Sequence, residues 1–353
     1  MRAIIPPYLL ARVASAREPH LARAAVAARA TLAARPGDLA GRAQLRLSIE
    51  GGDTLVAEQV PAPDRAVSDA QQREELPGVL VRDEDAPPSG DTAVDEAFDG
   101  LGATFALFAE AFGRASIDGR GGVLAATVHY GRDYDNAFWN GERMVFGDGD
   151  GEVFTGFTRS LSVIAHELAH GVTEFSGGLE YRRQSGALNE SLSDVFGALA
   201  EQHHRGQTVD EASWLIGAGI FTEAVQGRAL RSLAAPGTAY DDDVLGRDPQ
   251  PGHLRDLVVT ESDNGGVHIN SGIPNRAFHL VAMRLGGYAW ERAGLIWYRT
   301  LTSGLSPTTD FAGFAQATIL AAAQEYGDDS EEVDAVRAGW SGVGVIEDAA
   351  PER

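Results

Sequence analysis

The chain has 353 residues, 44% of them hydrophobic and 23% charged, a globular composition long enough for about two domains. It contains no cysteine, and its 29 basic residues are all arginine, which excludes disulfide frameworks, thiol catalysis, Cys-ligated metal centres, Schiff-base lysines and P-loop lysines. A formal net charge of −22 argues against nucleic acid as a partner, since phosphate binding needs a basic face.

The charge is uneven along the chain. Residues 1–50 carry 8 arginines against Glu18, Asp38 and Glu50, a net of +5; the remainder carries 21 arginines against 48 acids, a net of −27. A basic head and an acidic body attract each other, although a solvated head would show the same counts. Pro6 and Pro7 break the first apolar run, and Arg12, Arg17, Arg23 and Arg29 interrupt the next stretch. No Sec-type signal peptide is therefore expected there, and no run reaches the length of a membrane span. The stretch from Leu9 to Arg35 has the composition of a transit peptide, but an amphipathic helix of a docking or removable prosegment fits better.

Residues 51–92 scatter Gly, Pro and acids with little period, the pattern of a linker running into an extended segment. From Asp91 to Phe112 apolar residues recur at helical spacing: Val94, Phe98, Leu101, Phe105 and Phe108. Val123–Tyr130 has β-branched content, and the stretch to Gly151, punctuated by Gly, Asp and Asn, predicts strands and tight turns. After Thr158 helical patterns cover Arg159–Ser176, Ala187–His203, Pro274–Leu285, Ala289–Leu301, Asp310–Tyr326 and Ser330–Ala338. A strand-rich first half thus precedes a helical second half, joined near residue 180.

One segment, Val163-Ile164-Ala165-His166-Glu167-Leu168-Ala169-His170, concentrates the chemistry. His166 and His170 stand four apart on a helix, so both imidazoles leave one face and can share a metal. Glu167 is rotated by about 100° from His166, placed to hold a water without itself ligating. Three fixed residues in five also occur by chance. Here Leu161, Val163, Ile164, Leu168 and Val172 predict a buried helix, where His, Glu and His are costly to leave unpaired, and Gly177-Gly178 supplies its stop. Nineteen residues separate His170 from Glu190, on a second helix where Glu190 and Asp194 again share a face. Glu190 is positioned to be a third ligand of a His₂Glu zinc, and Asp194 to accept the free N–H of a ligating histidine. The competing explanation is a pair of surface acids, which the adjoining Leu188, Leu192, Val195 and Phe196 weaken.

HELAH, GALNESLSD, DNGGVHINSG and the earlier NAFWNGERMVFGDGDG (Asn136–Gly151) together resemble the thermolysin-like family of zinc endopeptidases, from about Leu76 to Val345. The resemblance implies an α+β fold of two lobes with an active-site cleft between them. Residues 51–182 would form a strand-rich lobe ending in the HExxH helix, and 183–349 a helical lobe. It implies one catalytic zinc on His166, His170 and Glu190, with Glu167 as general base and Asp194 orienting His166. Tyr181 and His268 would donate to the tetrahedral oxyanion, with Asp263 supporting His268, and Arg231 would bind the carbonyl beyond the scissile bond. Asn136 and Ala137 would bind the peptide backbone. Phe154, Val163 and Leu230 would line an apolar pocket selecting cleavage on the amino side of bulky hydrophobic residues. At the family's double calcium site this chain has Ser162, Glu201, Ser213, Leu215 and Ala218; one carboxylate of five is too few for calcium, so the pair is expected to be absent.

Ile5-Pro6-Pro7-Tyr8-Leu9-Leu10 resembles the PPY-x-L motif of short propeptides in protealysin-like precursors. That resemblance implies a zymogen whose residues 1–50 are an inhibitory propeptide in cis, with Pro6-Pro7 stiff and extended, Tyr8 and Leu10 as motif anchors, and removal by a cut between Arg42 and Arg73. Polypeptides are the implied substrates. Secretion is implied too, although the missing Sec signal leaves non-Sec export or a cytoplasmic pool open. A zinc hydrolase of a non-peptide substrate and a non-catalytic zinc-containing binding protein are the alternatives, opposed by NAFW and by the intact Glu167, Tyr181 and His268.

Overall fold

The computed structural model describes residues 2–34 and 62–347. Its first residues form strand β1 (Arg2–Ala3), followed by helices α1 (Pro7–Ala14) and α2 (Ala22–Ala33). The described part of Leu9–Arg35, a stretch expected as an amphipathic helix, holds two helices: the chain breaks after α1, and Pro19 opens a short 3₁₀ turn before α2. Pro6 is extended as expected (φ −63°, ψ 144°), but Pro7 is the first residue of α1, a position where its missing N–H costs nothing.

Residues 62–92 correct the linker reading. They contain β2 (Arg65–Asp69) and β3 (Val79–Asp83), each only five residues long. β2 pairs with β3 on one side and in parallel with β4 (Leu124–Val128) on the other. With β5 (Ala137–Trp139) and β6 (Met144–Phe146) the strands make one mixed sheet in the order β1-β5-β6-β4-β2-β3. Helix α3 (Thr92–Phe112) packs its Val94, Phe98, Leu101, Phe105 and Phe108 face inward. Its N-cap Asp91 accepts from Ala93 N and Val94 N, and it ends at Gly113 in the left-handed region (φ 64°).

Two helices connect this layer to the helical half: α4 (Leu161–Phe175) and α5 (Arg183–Arg205). Between α5 and the next helix the chain forms loops with small ladders, β7 (Leu215–Ile216) with β8 (Arg231–Ser232) and β9 (Asp241–Asp242) with β10 (Gly246–Arg247). The helical half continues as α6 (Asp263–Asn270), α7 (Gly272–Leu285), α8 (Ala293–Leu301), α9 (Phe311–Tyr326) and α10 (Glu331–Gly342). One continuous apolar cluster runs from the sheet through α4 and α5 to Trp297 and Trp340. Among the described residues, no helix is long and apolar enough to cross a membrane.

Candidate active site

Helix α4 is enclosed on all sides: every residue from Ser162 to Thr173 is buried. His166 meets Asp194, and His170, one turn later, meets Asn189, more than a turn earlier on α5. The two helices therefore run antiparallel, and Glu190 falls opposite both histidines. His166 Nε2 lies 3.5 Å from Glu190 Oε2 and His170 Nε2 lies 3.4 Å from Glu190 Oε1. The donor atoms of these three residues all sit within 4.8 Å of one another. His166 Nε2, His170 Nε2 and Glu190 Oε2 are buried and make no hydrogen bond. Each such orphan costs about 1–3 kcal/mol, and a shared cation satisfies all three. Two imidazoles and one carboxylate form the His₂Glu set of a zinc site with its fourth position open, so the residues fit that ion.

The other face of each histidine is fixed as well. Asp194 accepts from His166 Nδ1 at 2.8 Å. It also accepts from Arg231 Nε and Nη2, both at 2.8 Å, and from Asn275 Nδ2 at 2.8 Å. Burial opposes its charge, but Arg231 and His166 outweigh burial and bring the Asp194 carboxyl down to about 2. His170 Nδ1 contacts Asn189 Oδ1 (2.8 Å) and Ser193 Oγ (2.9 Å). Burial lowers His170 to about 4, so its ring is neutral, as a ligand must be. Glu190 would rise through burial, but the facing His268, His170 and His166 hold it well below the usual carboxylate range. Asn189, Ser193 and Asn275 carried no sequence signal of their own; Asn189 and Ser193 repeat the i, i+4 spacing of Glu190 and Asp194 one position earlier.

Glu167 is fully buried on the next position round α4. Burial and the charge of Glu190 raise its carboxyl well above the ordinary range, and the nearby backbone N–H groups of Trp139 and Ile4 and the Arg231 charge offset this in part. His268, 3% exposed, follows four consecutive left-handed residues, Asp263 to Gly266 (φ 54°, 52°, 87° and 78°). That turn folds Asp263 back, so its Oδ2 accepts His268 N at 2.9 Å and its Oδ1 contacts His268 Nδ1 at 2.6 Å. Burial disfavours the imidazolium, but Glu190 and Asp263 prevail and push His268 up to about 9. The Tyr181 hydroxyl donates to Glu190 Oε1 and lies 3.2 Å from His268 Nε2.

The amino-terminal segment occupies the space these residues surround. Ile4 N donates to Ala137 O at 3.0 Å, while Ile5 N and O bond the Asn136 side-chain amide at 2.9 and 3.2 Å. Ile4, Ile5, Leu9 and Leu10 are buried, in the cluster that also contains Phe154, Val163 and Leu230. Tyr8 is partly exposed, but its phenol end is enclosed near Tyr240 and Asp248, and burial raises it well above the ordinary range. Two head arginines pair with body acids, Arg2 with Glu174 and Arg23 with Asp133. At the calcium-matching positions, Ser162 Oγ is engaged by Ser160 and Gly217 N. Leu215 lies in β7, and Glu201 is paired with Arg205 at 2.8 Å. The structure thus brings Glu167, His166, His170, Glu190, Asp194, Tyr181, His268, Asp263, Arg231, Asn136 and Ala137 around one site.

Comparison with known proteins agrees. Residues 52–174 match the family model described as "Thermolysin metallopeptidase, catalytic domain", and residues 177–345 match "Thermolysin metallopeptidase, alpha-helical domain". An extracellular metalloprotease of Pectobacterium carotovorum subsp. carotovorum is 55% identical over 82% of this chain and 83% of its own. The protease PrtS of a Photorhabdus species is 50% identical over 80% of this chain and 76% of its own. Among solved structures, the precursor of protealysin, a metalloproteinase from Serratia proteamaculans, superposes with a TM-score of 0.88 at 48% identity, covering 98% of this chain and 100% of that one. With the orphaned His₂Glu cluster, these matches establish that the chain belongs to the thermolysin family of zinc metalloendopeptidases.

Proposed function

We propose that His166, His170 and Glu190 hold the catalytic zinc and that the surrounding residues divide the work of peptide hydrolysis among them. A zinc ion there would supply Lewis-acid polarisation of the substrate carbonyl and a water of lowered pKa. Glu167 takes the proton of the attacking water and passes it to the departing amide nitrogen. His268, kept cationic by Asp263 and Glu190, and Tyr181 donate to the oxygen on which negative charge develops. Arg231, held by Asp194, takes the next carbonyl, and Asn136 and Ala137 receive the backbone as an added strand. Phe154, Val163 and Leu230 select a bulky apolar side chain just after the scissile bond. The convergence of three unpaired buried donor atoms beside Glu167 carries this assignment. Zinc content and casein hydrolysis of processed wild type and Glu167→Gln test it: the variant should keep zinc and lose activity by at least about 100-fold. A variant that retains activity removes Glu167 from the mechanism.

Residues 1–50 are the removable inhibitory propeptide, 51–182 the first catalytic lobe and 183–349 the second. The expected processing window, Arg42 to Arg73, falls largely outside the described residues. Its last part includes β2, paired on both edges, which favours a cut before Arg65. No calcium pair binds near Glu201, whose charge is already met by Arg205; calcium titration finding two tight sites there would overturn this. The relative named an extracellular metalloprotease supports an extracellular destination.

A further inference from the structure

The amino-terminal segment does more than fill the cleft: its contacts define a register. β1 runs antiparallel to β5, with Arg2 opposite Trp139 and Ala3 opposite Phe138. From the helical side, His268 Nε2 faces Ala3 O at 2.9 Å, and Arg231 Nη1 donates to Ile4 O at 3.1 Å. These are consecutive carbonyls. With His268 serving the carbonyl under attack and Arg231 the one beyond it, both residues pick out the same bond, Ala3–Ile4. A further observation agrees. Ile4, fully buried in the apolar core, is a bulky apolar residue of the kind the pocket should take after a scissile bond. A segment bound in reverse, or one residue out of phase, would satisfy none of these contacts together.

We propose that Ala3–Ile4 is a self-cleavage site, hydrolysed by the precursor's own active site. Water adds across the bond: its oxygen joins the Ala3 carbonyl carbon to give a carboxylate, the C–N bond breaks, and the nitrogen leaves as the Ile4 amine with a proton delivered by Glu167. The segment ahead of Ile4 is held by β1 pairing, the Arg2–Glu174 ion pair and a bond from Arg2 to His170 O at 3.3 Å, and departs once severed. Ile4 onward stays docked, anchored by Arg231, Asn136 and the buried Ile5, Leu9, Leu10 and Val13. This cut trims the plug and leaves it seated, and it is separate from removal of the whole propeptide.

The proposal rests on the residue roles assigned to peptide hydrolysis, and one experiment separates the two. Zinc-loaded full-length protein is incubated at neutral pH and followed by intact-mass spectrometry and amino-terminal sequencing, with casein hydrolysis measured on the same preparation after processing. A new terminus at Ile4 should appear at a rate independent of protein concentration and be absent in Glu167→Gln. Ile4→Asp, which would bury a charge in the pocket, should slow it about 100-fold or more, whereas Ile4→Leu should stay within about tenfold of wild type. If the processed enzyme hydrolyses casein while the unprocessed precursor keeps its residues ahead of Ile4, self-cleavage is overturned and the peptidase assignment stands. If the Ile4 terminus forms in proportion to protein concentration, a second molecule makes the cut and the intramolecular register is wrong. If neither reaction occurs, both readings fall.

Discussion

Asp194 is where the His166–His170–Glu190 cluster and Arg231 meet. Its Oδ1 serves both His166 and Arg231, and its Oδ2 serves Arg231 and Asn275. One carboxylate thus sets the His166 tautomer, so that Nε2 presents its lone pair, and aims the guanidinium at Ile4 O. Asp194→Asn keeps the shape and removes the charge. It should weaken zinc binding about 10–100-fold, as loss of a carboxylate behind a ligating histidine does, and this is measurable by chelator competition. Unchanged zinc affinity would mean that Asn275 and packing suffice to hold His166. His129 makes a second, pH-dependent case away from the site. Its Nδ1 lies 2.8 Å from Asp148 Oδ1 and its Nε2 3.2 Å from Asp91 Oδ2, tying the α3 cap to the turn after β6. The Asp148 hydrogen bond is the largest influence; it and the charge of Asp148 and Asp91 outweigh burial and push His129 up to about 9. The folded pKa exceeds the unfolded value, so the contribution is complete below about pH 6.5 and is lost as pH rises through about 9. With the side chain still 22% exposed, about 1–2 kcal/mol is expected. Denaturant midpoints of wild type and His129→Gln should differ at pH 6 and converge above pH 9.

The spacing that revealed the site belongs to helices α4 and α5. His166 with His170, and Glu190 with Asp194, are legible because a helix turns four-residue spacing into a shared face and because the neighbours are apolar. Asn275 was not legible: it sits in a mostly apolar helical pattern, where a buried amide satisfied by Asp194 looks like any other polar residue. β2 and β3 were missed because each has only five residues. Val79, Leu80 and Val81 are also exposed on β3, so no in–out alternation marks it. The close approach of α4 to α5 depends on one residue, Gly197. A Cβ there would stand 2.6 Å from Ser162 O, a backbone atom of a fully buried helix with nowhere to retreat. Gly197→Ala should push the helices apart beside His166, costing about 1–3 kcal/mol of stability and lowering zinc occupancy in the purified protein. Full occupancy with unchanged melting would show that the pair tolerates the shift. The turn at Asp263–Gly266 makes a similar demand: a Cβ on Gly265 would reach 2.7 Å from Arg183 Cγ in a left-handed conformation. DNGG was recognised as part of a motif, but its four left-handed residues are what carry Asp263 back onto His268.

At the scale of the molecule, the amino-terminal segment binds both sides of the cleft. It adds β1 to the sheet, accepts Asp135 N on Thr31 Oγ1 at 3.0 Å and donates Ala24 N to Glu152 at 2.8 Å. It also takes Arg231 and His268 from the helical side. The uneven charge pointed to attraction between head and body, and Arg2 and Arg23 do find acids. Yet the Arg23 side chain is 58% exposed, and pairs of that kind contribute little and are screened by salt. The buried Ile4, Ile5, Leu9 and Leu10, together with backbone bonds, hold the segment instead. A tethered ligand that binds only the folded state stabilises it by mass action, about 4 kcal/mol when its effective concentration is 1,000 times its dissociation constant. For lobes of this size that corresponds to a melting shift of about 8–16 °C. The comparison is made in full-length Glu167→Gln protein, which on the proposed mechanism does not process itself, with and without Ile4→Asp to undock the segment. The undocked form should melt lower by that margin, and most of the gap should survive in about 1 M salt, where charges are screened beyond about 3 Å. A gap that collapses in salt would return the docking to the +5 and −27 charges.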